Sequence, residues 1–157
     1  MPPGIVEHGE AWVESIPIEV PVRRSKVYIR GRFDTVIKLD DHTYGIIDFK
    51  TSSRRDEHLA GYSRQLHAYM LALENPAEGR LGLSPITRLG LLVFEPNAFS
   101  GSGNGTMASL DGEFTWLELP IDVPAFMEFL SEVLSIVEQP QPPPDSPDCQ
   151  HCRLLAR

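Results

Sequence analysis

The sequence predicts an α/β fold, a central mixed β-sheet flanked by α-helices, and two observations carry that prediction. Apolar residues alternate with polar ones early in the chain and again near its last third, which is the period of half-buried strands, whereas two other segments place apolar residues three and four apart, the period of helices. Strands and helices interleaved along 157 residues pack as layers around one core.

From Ala11 to Leu39 the chain is rich in Val, Ile, Tyr and Phe at alternating positions, with a break at Pro21 to Ser25, and reads as two strands. A third strand is expected from Thr43 to Thr51. The period then changes: Leu59, Tyr62, Leu66, Tyr69, Met70 and Leu73 line one side of a helix over Glu57 to Glu74, which Asn75-Pro76 ends. Ile86 to Phe94 is almost wholly apolar and suits an inner strand. Asn97 to Gly105 reads as a loop, Phe114 to Leu119 as a further strand. A second helix is expected over Val123 to Val137, with Phe126, Phe129, Leu130, Leu134 and Val137 on one side. The five prolines between Gln139 and Pro147 make the tail extended. This divides the chain into a domain over 1–138 and a Pro-rich tail over 139–157.

Apolar residues at 41% and charged residues at 23% describe a globule. No apolar run reaches the about 18 residues that span a bilayer, and the start lacks the basic and apolar stretches of a signal peptide. A cytoplasmic address with no membrane partner is expected. The net charge of −8 is unevenly spread: residues 23–64 hold ten of the fourteen Lys and Arg against six acids, a net of +4, which leaves −12 on the remainder. Such a basic segment is either a local phosphate footprint or a solvated charged face.

The chemistry concentrates in one expected hairpin. Val27, Ile29, Phe33, Ile37 and Leu39 set the apolar face of the second strand, and Ile47 and Phe49 that of the third. For both faces to coincide, paired residue numbers must sum to an even value. Asp40-Asp41-His42 makes a three-residue connection whose last residue adopts the left-handed conformation, which His accepts more readily than the β-branched Thr43. The favoured sum is 82, placing Asp34 opposite Asp48 and Arg32 opposite Lys50. Like charges facing each other at about 5 Å destabilise a sheet. A divalent cation resolves the first pair, since Mg²⁺ takes one or two carboxylates with water and substrate phosphate, and a phosphate resolves the second. Lys50 would then orient or deprotonate the attacking water. The alternative is two surface salt bridges, Asp34 with Arg32 and Asp48 with Lys50.

Gly31-Arg32-Phe33-Asp34, then Gly45-Ile46-Ile47-Asp48-Phe49-Lys50-Thr51, then Gln65-Leu66-His67-Ala68-Tyr69 resemble the RecB-like branch of the PD-(D/E)XK nuclease superfamily, which includes CRISPR-associated exonucleases and helicase-linked nucleases. The family pattern is G-x-x-D, an aliphatic run into D-x-K-T, and Q-x-x-x-Y on the next helix. The resemblance implies a restriction-endonuclease-like core and metal-dependent hydrolysis of DNA, at an end or on single strands, with Mg²⁺ or Mn²⁺. It makes Asp34 and Asp48 metal ligands, adds the Phe49 carbonyl, makes Lys50 catalytic, and turns Gln65 and Tyr69 toward the active site. Taken alone, those last two residues read as a surface amide and a packing ring. Arg30, Arg32, Arg54, Arg55 and Arg64 are the expected phosphate contacts. Partners implied are DNA and a helicase, repair or CRISPR-type complex.

Two departures from the family stand out. A helix carrying an acid or histidine usually precedes the first strand, and only ten residues precede Ala11 here; Glu19 or His8 could substitute. Cys149-Gln150-His151-Cys152 has the spacing of a metal or redox pair. In many RecB-like nucleases four cysteines hold an iron-sulfur cluster, which belongs here only to a longer parent chain, because two thiolates do not suffice. Cys149 and Cys152 then read as a remnant and a reduced thiol pair. These departures motivate a second reading, a catalytically incomplete nuclease-fold module that binds DNA or a partner protein. His42 reads as a turn residue, His58 as a helix start and His67 as an exposed helix residue. Trp12 and Trp116 are expected to pack, although an exposed Trp12 would be a base-stacking candidate.

Overall fold

The computed structural model describes residues 1–51, 58–101, 108–144 and 149. Its strands are β1 (Ile5–His8), β2 (Ala11–Glu14), β3 (Ile18–Glu19), β4 (Lys26–Val27), β5 (Arg30–Phe33), β6 (Thr35–Lys38), β7 (Tyr44–Thr51), β8 (Ile86–Gly101) and β9 (Ala108–Leu119), with helices α1 (Leu59–Glu74) between β7 and β8 and α2 (Val123–Val137) after β9. Five strands form the central sheet in the order β1-β6-β7-β8-β9, while β2-β5 and β3-β4 form two-stranded ribbons. All central neighbours are antiparallel except β7 and β8. A parallel pair needs a crossover, which α1 supplies.

The expected mixed sheet with flanking helices is what the chain forms. Phe33, Val36 and Ile46 from the strands meet Leu66, Met70 and Leu73 of α1, Leu89 and Leu91 of β8, and Phe126, Leu130 and Leu134 of α2 in one apolar cluster. The hairpin register also follows the expected sum: Thr35 pairs with Ile47 and Lys38 with Tyr44, and His42 takes the left-handed conformation at φ 65°. Its three-residue connection is what fixes that register.

Other expectations need correction. The two early strands are a series of short ones, because the chain turns at Pro21 and Val22 and bends at Asp34. That bend carries Arg32 away from Lys50 and pairs it with Trp12 of β2 instead. Phe49 is not core but 50% exposed, while Asp48, expected on the polar face, is 3% exposed. The alternating pattern misleads here because β7 buries the whole run Gly45 to Asp48, as a strand flanked on both sides and covered on both faces does. The strands expected at 86–94 and 114–119 continue outward to Gly101 and back from Ala108, so most of the expected loop is strand; residues 102–107 lie outside the described residues. Trp12 is 58% exposed. Trp116, by contrast, packs as expected: its ring occupies the place a side chain at Gly90 would need.

Candidate active site

Asp34 stands at the bend between β5 and β6. The ladder between β6 and β7 ends at Thr35 and Ile47, so the next inward amide of β7 needs another acceptor. Asp34 provides it: its Oδ2 accepts from the Phe49 N–H at 2.8 Å. One carboxylate thereby closes the sheet hydrogen bonding and comes to rest beside Asp48, as the register sum requires.

Asp48 is held in the interior of β7. Lys50 Nζ lies 2.5 Å from its buried Oδ2, in ion-pair contact. Burial pushes the Asp48 carboxyl up from its ordinary value; the Lys50 ammonium pulls the other way, and the neighbouring Asp34 carboxylate adds to the rise. Of the two salt bridges weighed as the alternative, only Asp48 with Lys50 forms. Arg32 binds Glu10 at 2.7 Å instead.

Helix α1 covers this corner with a single face. Tyr62, Gln65 and Tyr69 are three, four and seven residues apart and so lie together. The Lys50 ammonium sits 4.8 Å from the centre of the Tyr62 ring. Gln65 Nε2 donates to the Tyr69 hydroxyl at 2.9 Å, and the Tyr69 ring lies against Gly31, where an added Cβ would fall 2.5 Å from Tyr69 Cε1. The glycine and the tyrosine of the two sequence motifs are thus one contact: Gly31 has no side chain because the ring occupies its place. Sequence reasoning named both motifs without this link and left Tyr62 as packing alone, although its spacing from Gln65 and Tyr69 was the available signal.

The remaining candidates fall elsewhere. Arg30 lies over Trp12, 5.3 Å from the ring centre. Arg64 points to the opposite side of α1, over Phe129 at 4.1 Å, in a crevice of about 230 Å³ shared with His67, Asp122 and Phe126. His67 is not exposed but buried: Nδ1–H donates to the Ser63 carbonyl at 2.7 Å and Nε2 accepts from the Asp122 N–H at 2.9 Å, fastening α1 to the start of α2. Glu19, a proposed substitute acid, pairs with Lys26 at 2.8 Å on exposed surface. His8 pairs with Val36 at the sheet edge. Arg54, Arg55 and Cys152 lie outside the described residues, and Cys149 is partly buried.

The donor set suits a hard divalent cation. Two adjacent carboxylates, one of them buried, offer the oxygen ligands that Mg²⁺ and Mn²⁺ prefer. Among the described residues no third His, Cys, Asp or Glu completes a cluster, so water and substrate oxygens would fill the other positions.

The site thus brings Asp34, at the bend between β5 and β6, together with Asp48 and Lys50 of β7 on an α/β sheet faced by one helix. The chain belongs to the PD-(D/E)XK nuclease superfamily, whose family model matches residues 5–157. Members of that superfamily are generally hydrolytic nucleases that use divalent metals. No curated protein matches the chain. Among solved structures, one titled "Crystal structure of SSO0001" is similar at 19% identity and a TM-score of 0.46, over 94% of this chain and 57% of that one. No described helix is long and apolar enough to cross a membrane.

Proposed function

We propose that the chain is a Mg²⁺- or Mn²⁺-dependent DNA nuclease of RecB-like type, acting at ends or on single strands. The observation that carries this reading is the buried Asp48 carboxylate, which sits beside a second carboxylate, Asp34, with the Lys50 ammonium against it. Such an arrangement raises the energy of the metal-free site and is relieved by a cation. Asp34 and Asp48 would hold the metal. The Phe49 carbonyl joins them, because the N–H and C=O of one strand residue face the same neighbour and the Phe49 N–H already meets Asp34. When bound, the metal supplies Lewis-acid polarisation of the phosphoryl oxygen and makes water more acidic.

The chain's own groups do the rest. Lys50, anchored between Asp48 and the Tyr62 ring, orients the attacking water and offsets charge on the phosphate. Gln65 and Tyr69 shape the wall of the site through their mutual hydrogen bond. Arg30 and Arg32, exposed on β5, approach the phosphates upstream.

A labelled single-stranded and a labelled duplex DNA, incubated with Mg²⁺ or Mn²⁺, test this directly. Wild type should cut in the presence of metal and stop with chelator, and Asp48→Ala and Lys50→Ala should each lose activity. Metal-independent cutting, or variants as active as wild type, would overturn it. One observation favours a second reading, a non-catalytic module that binds DNA or a partner in a repair, helicase or CRISPR-type assembly: the described residues supply only two acids to the site. Salt-sensitive DNA binding with no product under any metal would support that second reading.

A further inference from the structure

The outer face of the β2–β5 ribbon carries an exposed aromatic ring, Trp12, to which the cleavage site gives no role. In this antiparallel pair Trp12 stands opposite Arg32 and Glu14 opposite Arg30, and directly paired residues share a face. Val13 and Phe33, on the other face, are fully buried. The ribbon therefore turns an indole and two guanidiniums outward together. Trp12 is 58% exposed, and Arg30 lies diagonally over its ring at 5.3 Å.

The ion pairs on this face are unequal. Arg32 binds Glu10 at 2.7 Å and Arg80 binds Glu14 at 3.1 Å, with the side chains of all four at least 32% exposed. Exposed pairs of this kind are worth about 0 to 1 kcal/mol and exchange readily for a phosphate. Arg30 has no ion pair among the described residues. A shallow concavity of about 140 Å³ lies between Trp12, Glu14, Arg30 and Arg80.

We infer that Trp12 and Arg30 form a stacking platform for an unpaired base of single-stranded nucleic acid, with Arg32 and Arg80 taking the flanking phosphates. Nucleic acid is the ligand because the chain is read as a nuclease; it is single-stranded because only an unpaired base presents its face to an aromatic ring. The ring supplies sequence-tolerant stacking, and the guanidinium fixes the ring plane while contributing positive charge.

The test uses binding alone, in chelator, so that it does not depend on cleavage. Fluorescence anisotropy is measured with three probes: a labelled oligothymidylate, an abasic strand of equal length and charge, and a duplex. Wild type should bind the oligothymidylate at least about tenfold more tightly than it binds the abasic strand. Trp12→Ala should lose that preference, Trp12→Phe should keep most of it, and duplex binding should be the same in Trp12→Ala as in wild type. Arg30→Gln should weaken the oligothymidylate and reduce the salt dependence. Equal wild-type affinity for base-bearing and abasic strands overturns the platform without recourse to any variant, as does Trp12→Ala binding like wild type. A wild type that never cuts yet binds in a Trp12-dependent way removes the nuclease reading and leaves the platform standing. An active wild type indifferent to bases does the reverse.

Discussion

Strand β8 runs through two different environments. Where it lies beside β7, Leu89, Leu91 and Val93 are buried, and its neighbour carries Asp48 at 3% exposure. From residue 95 onward it leaves the core with β9 as a two-stranded arm on which Phe99 is 73% and Phe114 69% exposed. In the first region Gly90 is closed against the Trp116 ring and the Asp48 carboxylate is buried beside that of Asp34. In the second, apart from the Phe94 ring, which is tilted against Phe114 and lies over Gly112, the ladder is held mainly by its own hydrogen bonds. Burial on both faces is confined to the region that keeps the two carboxylates together, whereas the arm leaves its aromatic rings exposed. Substitutions in the two regions should therefore have effects of different size and kind.

The largest expected effect is on catalysis. Asp48→Asn keeps the shape and removes the charge, and cleavage should fall by about a thousandfold or more, since metal-assisted charge stabilisation is worth several kcal/mol. Single-turnover rates with Mn²⁺ read this. Gly31→Ala comes next. Its Cβ would meet the Tyr69 ring at 2.5 Å, and overpacking of this kind costs about 1–3 kcal/mol. Urea unfolding should show the loss, and Tyr69→Leu in the same chain should restore part of it if the ring is the cause; the absence of any coupling would separate the two motifs again.

The third effect is one of pH. Burial raises the Asp48 carboxyl, so the folded metal-free protein binds a proton more tightly than the unfolded chain does. Its stability should fall as pH rises from the ordinary carboxylate range through the raised value, and level off above it. Asp48→Asn should flatten that slope in thermal melts recorded with chelator. The smallest effect is in the arm: Phe114→Ala removes one partner of an exposed ring pair and should change stability by less than about 1.5 kcal/mol, leaving cleavage as it was. A large loss there would mean that the arm is packed after all.

Much of the fold and of the site's outline was readable from residue order. The 82 register followed from one turn residue, His42, whose left-handed conformation the structure shares. The α1 stripe followed from its spacing. What could not be read were properties that depend on two elements meeting. Phe49 and Asp48 exchanged places because a strand covered on both faces does not alternate. Gly31 gave no hint of Tyr69 because the contact joins positions far apart in the chain. His67 looked like surface until α2 arrived to cover it, and Trp12 looked like core because nothing in a four-residue strand says which face the next element will leave bare. The bend at Asp34 was also invisible to a period-two reading, although it is what delivers that carboxylate to the Phe49 amide.

The most direct test of the central claim is calorimetric titration of Mn²⁺ into the wild-type protein and into Asp34→Asn and Asp48→Asn, in the absence of nucleic acid. Joint coordination by the two carboxylates predicts a saturable site in wild type that each substitution weakens by at least about tenfold. Binding unchanged by either substitution would contradict it.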